Sequence, residues 1–262
     1  MTVILKEVTE AVVKDLMKNG KREDNRPFTE YRNAIVQKGM LQNTEGSALA
    51  QLGDTKVLCG IKFDLLAPFA DRPDEAVVMV GSEFSPMANP EFQAGPPGED
   101  SIELARVVDR AIRSAGCIDT KTLPRSKDKV MGIFIDLHIL DHCGNLIDTA
   151  ALAAMAALRN AKMPKLEIEG ETGKLVRDEF TGPLPLTRSA ITCSFEKIGG
   201  KILVDATDAE EVASDGRLTI GVTDDGFICC GQKSKAAGFQ REEMMQLTDL
   251  AFEKSKALFE LI

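Results

Sequence analysis

The Ala-rich run "DTAALAAMAALRNAKM", residues 148 to 163, constrains the fold more than any other stretch. Its small side chains favour a helix and permit close approach to a sheet, and Pro164 is expected to end it. Just upstream, "VMGIFIDLHIL" is a buried strand candidate. A strand delivering such a helix belongs to a layered α/β or α+β protein with many strands. Nearer the N-terminus, "GSALAQLGDTKVLCGIKF" offers two strand-like runs separated by "GD", and "AVVMVGSEF" offers a third. The three are expected to pair as a meander.

Residues 165 to 190 read as loop, and "GPLPLTR" makes a plausible boundary. Beyond it, "AITCSFEKIGGKILVDA" turns at Gly199 and Gly200, and "GRLTIGVTDDGFICCGQ" turns at Asp225 and Gly226, two hairpin signals. The closing segment "FQREEMMQLTDLAFEKSKALFELI" places Met244, Leu247, Ala251, Leu258 and Leu261 on one helical stripe. This reading divides the chain into residues 1–190 and a four-strand, one-helix subdomain over 191–262.

At 262 residues the chain can bury a proper core without staples. Hydrophobic residues at 44% and charged residues at 28% exclude a disordered composition. The N-terminal "MTVILKEVTEAVVKDLMKNGKR" carries charges within its apolar pattern, so it reads as an amphipathic helix, neither signal peptide nor membrane span. Six cysteines without a CxxC spacing read as reduced, mostly buried thiols and point to the cytoplasm. His138 and His142, the two histidines, read as structural residues and not as metal ligands. A net charge of −9 argues against nonspecific whole-surface binding to nucleic acid or anionic membrane, yet leaves room for a local basic site.

Such a site is suggested by "IELARVVDRAIR". The Pro- and Gly-rich loop "PMANPEFQAGPPGED" leads to this helix, whose start carries Glu99, Asp100 and Ser101. Arg106, Arg110 and Arg113 fall within an arc of roughly 60°. Glu103 and Asp109 can pair with Arg106, and Asp109 with Arg113. Arg110 has no carboxylate at those spacings, and its neighbour four residues back is Arg106. Its partner must come from elsewhere: a buried acid of another element or subunit, or a phosphodiester matched to the planar guanidinium. Arg72, surrounded by Asp71, Asp74 and Glu75, reads as locally satisfied.

The segments "GKREDNRPFTEYRNA", "GSALAQLGDTKVLCGI", "GEDSIELARVVDRAIR", "LDHCGNLIDTAALAAMAAL" and "ILVDATDAEEVASDGRLTIG" together resemble the RNase PH family, in order and over most of residues 20 to 235. Within it the chain most resembles the non-catalytic RNase PH-like subunits of the archaeal exosome. The resemblance implies an α+β RNase PH fold, related to the second domain of ribosomal protein S5, with two βαβ-containing halves and an added N-terminal helix. It implies a hexameric ring of three heterodimers with a catalytic RNase PH-like partner, S1- or KH-domain cap proteins, and single-stranded RNA degraded from its 3′ end with inorganic phosphate. No bound cofactor is expected for this chain, with Mg²⁺ admissible for the complex.

Active family members are expected to carry a Gly-Thr-Arg or Gly-Ser-Arg turn before the Ala-rich helix, where phosphate binds. This chain reads "DHCGNLIDTAAL" there: no arginine occurs between Arg125 and Arg159, and Gly144, Asn145 and Asp148 form a degenerate site. A carboxylate repels phosphate and, when ionised, offers no donor, so phosphorolysis at this pocket is not expected. Asp205 falls where active members carry an acid, with Glu210 and Glu211 nearby; it either retains an accessory role or pairs with arginines of the shared fold. RNA contacts are carried over to Arg106 and Arg110, with Arg113 the weaker candidate. With no Trp and one Tyr, base stacking from this chain is expected to be minor. An independently active nuclease and a pure assembly scaffold are the competing readings.

Overall fold

The structure, a computed structural model, describes residues 3–169 and 172–262. The first two residues of the N-terminal segment, and positions 170 and 171 within the segment read as loop, lie outside the described residues. The chain runs α1 (Val3–Lys18), β1 (Ala34–Lys38), β2 (Gly46–Leu52), β3 (Thr55–Leu66), β4 (Val77–Phe84), α2 (Glu99–Ala115), β5 (Val130–Asp141) and α3 (Leu146–Asn160). It continues through β6 (Lys162–Glu169), β7 (Thr172–Pro183), β8 (Ala190–Ile198), β9 (Lys201–Val204), α4 (Asp208–Ala213), β10 (Gly216–Thr223), β11 (Ile228–Ser234) and α5 (Arg241–Phe259).

The first sheet has the order β1-β2-β3-β5-β4. β1 to β3 are antiparallel neighbours, but β4 does not join their meander as the sequence suggests. It lies at the far edge, parallel to β5, because α2 connects the two as a βαβ crossover. The second sheet has the order β11-β10-β8-β9. β9 and β10 both run antiparallel to β8 and are therefore parallel to each other, joined through α4, so this half holds a βαβ unit split by β8. α4 is a second helix beyond the one expected here. Its Thr207–Glu210 capping box was legible in the sequence.

α3 is buried on every side from Ile147 to Leu158, since it lies against β2 and β3 on one side and β8 on the other. A helix enclosed this way must be apolar all round and small enough to let both sheets approach. At Gly46 of β2 an added Cβ would lie 2.6 Å from the Ala157 carbonyl, which fixes glycine at that crossing. α3 ends at Asn160, before Pro164. Ala161 is already extended, and residues 162–169 and 172–183 form a two-stranded β6–β7 ribbon where the end of the helix, and from 165 onward loop, was expected. Pro164 sits at register shifts in that ribbon, where its missing N–H costs no regular ladder bond. The sequence signature of β6 is the alternation in "KLEIE".

The two sheets and α2, α3 and α5 share one core cluster that includes Phe63, Ile135, Leu152, Phe195 and Ala251. One face of the second sheet meets α2 and α3 through Ser194 and Gln232, while Cys193 turns to the Ala251 carbonyl of α5. On α5 the buried residues are Leu247, Ala251, Ser255 and Leu258, whereas Met244 is exposed, contrary to the stripe read from sequence. α1 is amphipathic as expected, burying Val13 and Met17 against α4 and its neighbours. All six cysteines are free thiols, with Cys59, Cys117 and Cys193 fully enclosed.

Candidate nucleic-acid interface and the closed pocket beside it

The turn before α3 is closed from inside. Gly144 (φ 93°) and Asn145 (φ 54°) are both left-handed, and a Cβ on Gly144 would lie 2.3 Å from the Ala206 carbonyl. Helix N-termini attract anions through unpaired N–H groups. Here the Asn145 N–H already donates to Glu211 Oε1 at 2.9 Å, and the Gly144 N–H to His142 Nδ1 at 3.3 Å. An internal carboxylate thus already occupies the Asn145 N–H.

Asp148 does not face solvent as a repelling charge. It is buried and accepts from Tyr31 Oη, Asn145 Nδ2, Thr192 Oγ1, and both the N–H and Oγ of Ser194, at 2.8–3.0 Å. Burial pushes its carboxyl above the ordinary value, against the pull of these hydrogen bonds. Its role is to tie α3 to β8 and to the N-terminal segment.

Asp205 is likewise saturated. Its Oδ1 accepts from Arg32 Nη2 (2.8 Å) and Asn145 Nδ2 (2.9 Å), and its Oδ2 from Arg26 Nη1 (3.0 Å) and the Arg32 N–H (2.8 Å) and Nε (2.9 Å). Burial works to raise this carboxyl, but the Arg32 guanidinium and the hydrogen bonds outweigh it and hold it below the ordinary carboxylate value. Arg22, only 1% exposed, pairs with Glu210 through Nε (2.9 Å) and Nη2 (2.6 Å) and donates to the carbonyls of Val204 and Asp205. The polar segment "GKREDNRPFTEYRNA" is therefore a strap of one buried and two half-buried guanidiniums, Arg22, Arg26 and Arg32. Composition hid this, because an Arg-rich loop ordinarily faces water.

The arginines of α2 are arranged differently. Leu104, Val107, Val108, Ala111 and Ile112 bury the opposite face of the helix, and Gly116 closes it in a left-handed C-cap. Arg113 forms the expected pair with Asp109 (2.7 Å) and also donates to the Val78 carbonyl of β4. It lines a separate hollow with Phe69 and Arg72, so the structure parts it from the other two. Arg106 contradicts its expected local pairing. Asp109 is committed to Arg113, and Glu103 is turned to Ser234 Oγ (2.8 Å) and Gln232 Nε2 (3.4 Å) of β11. Arg106 is exposed and has no hydrogen-bond or ion-pair partner among the described residues. Among the described residues Arg110 meets no acid: its Nη1 donates to Gln232 Oε1 at 2.5 Å. Arg106, Arg110, Ile102, Val107 and Gln232 line an open groove of about 310 Å³, which Glu99 and Glu103 also border.

Elsewhere, His138 lies 3.4 Å from Glu83 and His142 stacks on Phe92. Among the described residues no cluster of His, Cys, Asp and Glu is arranged to hold a metal ion. Arg72 pairs with Asp71, as its neighbours suggested. No helix among the described residues is long and apolar enough to cross a membrane.

Known proteins share this fold. Residues 30–164 match the 3′ exoribonuclease family, domain 1, and residues 189–254 match domain 2 of the same family. The exosome complex component Rrp42 of Thermococcus onnurineus is 41% identical over 98% of this chain and 96% of its own length. The Rrp42 component of Methanothermobacter thermautotrophicus is 40% identical over 99% and 96%. Among solved structures, a chain of the Archaeoglobus fulgidus exosome with RNA bound to the active site superposes with TM-score 0.86 at 35% identity, covering 98% of both chains. A chain of an archaeal exosome core superposes with TM-score 0.83 at 33% identity, over 97% of this chain and 96% of that one. On its sequence, its two-sheet fold and these matches, the chain belongs to the RNase PH, or 3′ exoribonuclease, family.

Proposed function

We propose that this chain is a non-catalytic, RNA-binding and ring-forming subunit of an exosome-type complex that degrades RNA from its 3′ end with inorganic phosphate. The observation that carries the reading is the occupied turn before α3, where the Glu211 carboxylate already holds the Asn145 N–H. A phosphate arriving there meets a like charge and finds no arginine free to bind it. Catalysis therefore belongs to an RNase PH-like partner that binds phosphate and supplies the acid, in a hexamer of three heterodimers capped by S1- or KH-domain proteins. Mg²⁺ does not fit at Asp205, whose two carboxylate oxygens already accept from Arg26, Arg32 and Asn145; a metal used by the complex belongs to the partner's site. Free thiols suit the reducing cytoplasm, where we place the complex.

In this assembly Arg106 and Arg110 hold phosphodiesters of single-stranded RNA near the partner's active site. Such contacts set the register of the strand without reading bases. Arg113, bound to Asp109 and Val78, contributes least. The test is phosphorolysis of a short single-stranded RNA by this chain alone and mixed with its partner, before and after Arg110→Glu. The chain alone is expected to be silent, and the mixture to lose activity on mutation while remaining a hexamer. Nucleoside diphosphate release by the chain alone would make it an enzyme in its own right. Unchanged activity in a hexamer carrying both Arg106→Glu and Arg110→Glu would make it a scaffold.

A further inference from the structure

We infer that Gln232 is a positioning residue for Arg110, holding the guanidinium in the groove through a neutral acceptor so that its charge stays available to an RNA phosphate. The inference rests on the RNA-binding reading of the groove and adds to it a residue on a different element. Four side chains form a chain from β11 to α2: Ser234 Oγ donates to Glu103 Oε1 (2.8 Å), Gln232 Nε2 donates to the same oxygen (3.4 Å), and Arg110 Nη1 donates to Gln232 Oε1 (2.5 Å).

The amide has one orientation consistent with both neighbours. An ionised carboxylate can only accept and a guanidinium can only donate, so Nε2 must face Glu103 and Oε1 must face Arg110. Glu103 thus fixes Gln232, and Gln232 fixes Arg110.

The choice of a neutral partner sets Arg110 apart from the buried and half-buried arginines of the pocket. Arg22 meets Glu210, Arg26 and Arg32 meet Asp205, and Arg217 meets Glu196 and Glu211. Those cations are neutralised within the protein. An amide oxygen restrains the rotamer of Arg110, lowering the entropy lost when RNA binds, while leaving the net positive charge in place. A carboxylate at position 232 would pair with Arg110 directly and cancel the field it presents, and it would face Glu103 as a like charge where the amide donates to it.

The distinguishing experiment uses the ring reconstituted with its catalytic partner and a short fluorescent oligoadenylate in phosphate-free buffer, so that RNA is bound and not consumed. Affinity is measured across a salt series for wild type, Gln232→Glu, Gln232→Leu and Arg110→Gln. Gln232→Glu is expected to lower the slope of log K against log salt by about 0.7, the loss of one single-strand phosphate contact, with about fivefold weaker binding at about 0.1 M salt. Gln232→Leu keeps the charge and loses only the restraint, so the slope stays and binding weakens about threefold. Equal weakening in both Gln232 variants, with lowered Tm and an unchanged slope, would reduce Gln232 to a packing role between α2 and β11 and overturn the inference. So would wild-type binding in both Gln232 variants while Arg110→Gln binds more weakly. If Arg110→Gln also binds RNA as wild type does, the RNA-binding reading of Arg110 fails, and the inference fails with it.

Discussion

Two sets of arginines in this molecule are in opposite electrostatic states. Arg22, Arg26 and Arg32 close the pocket around Asp205 and Glu210, each matched to a carboxylate and to backbone carbonyls. Arg106 and Arg110 line an open groove, one without a partner among the described residues and one held by an amide. The difference teaches that an arginine's function is set by what neutralises it. In the pocket the guanidiniums are counter-ions to buried carboxylates, and in the groove neither guanidinium is matched by a carboxylate among the described residues.

The sharpest way to break this contrast is Arg22→Met, which leaves the Glu210 carboxylate buried without its cation. Loss of one partner of such a pair costs about 3–5 kcal/mol, read as a fall in denaturant midpoint with unchanged slope. A stability loss below about 1 kcal/mol would show that the pocket tolerates an unmatched charge and that the strap is not structural.

Next in size, Asp205→Asn is expected to cost about 3 kcal/mol at pH 7, because Arg26 and Arg32 lose their shared counter-ion. The sign of its pH dependence follows from the lowered carboxyl. A carboxyl held below its unfolded value contributes fully above that value, about 3.9, and its contribution disappears as the pH falls through the folded value. Melting curves of wild type and variant should therefore differ most near neutrality and converge below about pH 4. A gap that widens on acidification would contradict the assignment.

The groove should behave in the reverse manner. Arg106→Ala is expected to change folding stability by less than about 0.5 kcal/mol, since no internal partner is lost. In the assembled ring it should lower the salt slope of RNA binding by about 0.7. A stability loss without a change in RNA binding would place Arg106 with the pocket arginines. The smallest effect is a null one: inorganic phosphate added to the Arg106→Ala, Arg110→Gln double variant alone should raise its Tm no more than sulfate at equal ionic strength does, since both salts act by exclusion and a ligand adds stability only where it binds. A dose-dependent rise beyond that of sulfate would mean that phosphate displaces Glu211 from the Asn145 N–H.

Much of the architecture was legible because periodicity records burial directly. The β8–β9 and β10–β11 hairpins announced themselves through Gly199–Gly200 and Asp225–Gly226, and the Ala-rich helix through its composition. The β6–β7 ribbon was hidden by its charged, turn-prone residues and by Pro164, which reads as a terminator wherever pairing is unknown. The placement of β4 beside β5 was hidden for another reason: hairpin logic pairs neighbours in sequence, while α2 carries the chain across the sheet.

At the site, sequence alone determined which residues were present and which were missing. The absence of an arginine before α3, the carboxylate at Asp148 and the unmatched position of Arg110 on its helix are facts of spacing, because local neighbours decide them. Only the tertiary structure decided how the charges are matched. It turned Glu103 away from Arg106, brought Gln232 to Arg110 from more than a hundred residues downstream, and lodged Glu211 at the turn before α3. Ion pairs form between groups within a few ångströms in space, and a one-dimensional pattern carries that distance only along a single helix or strand.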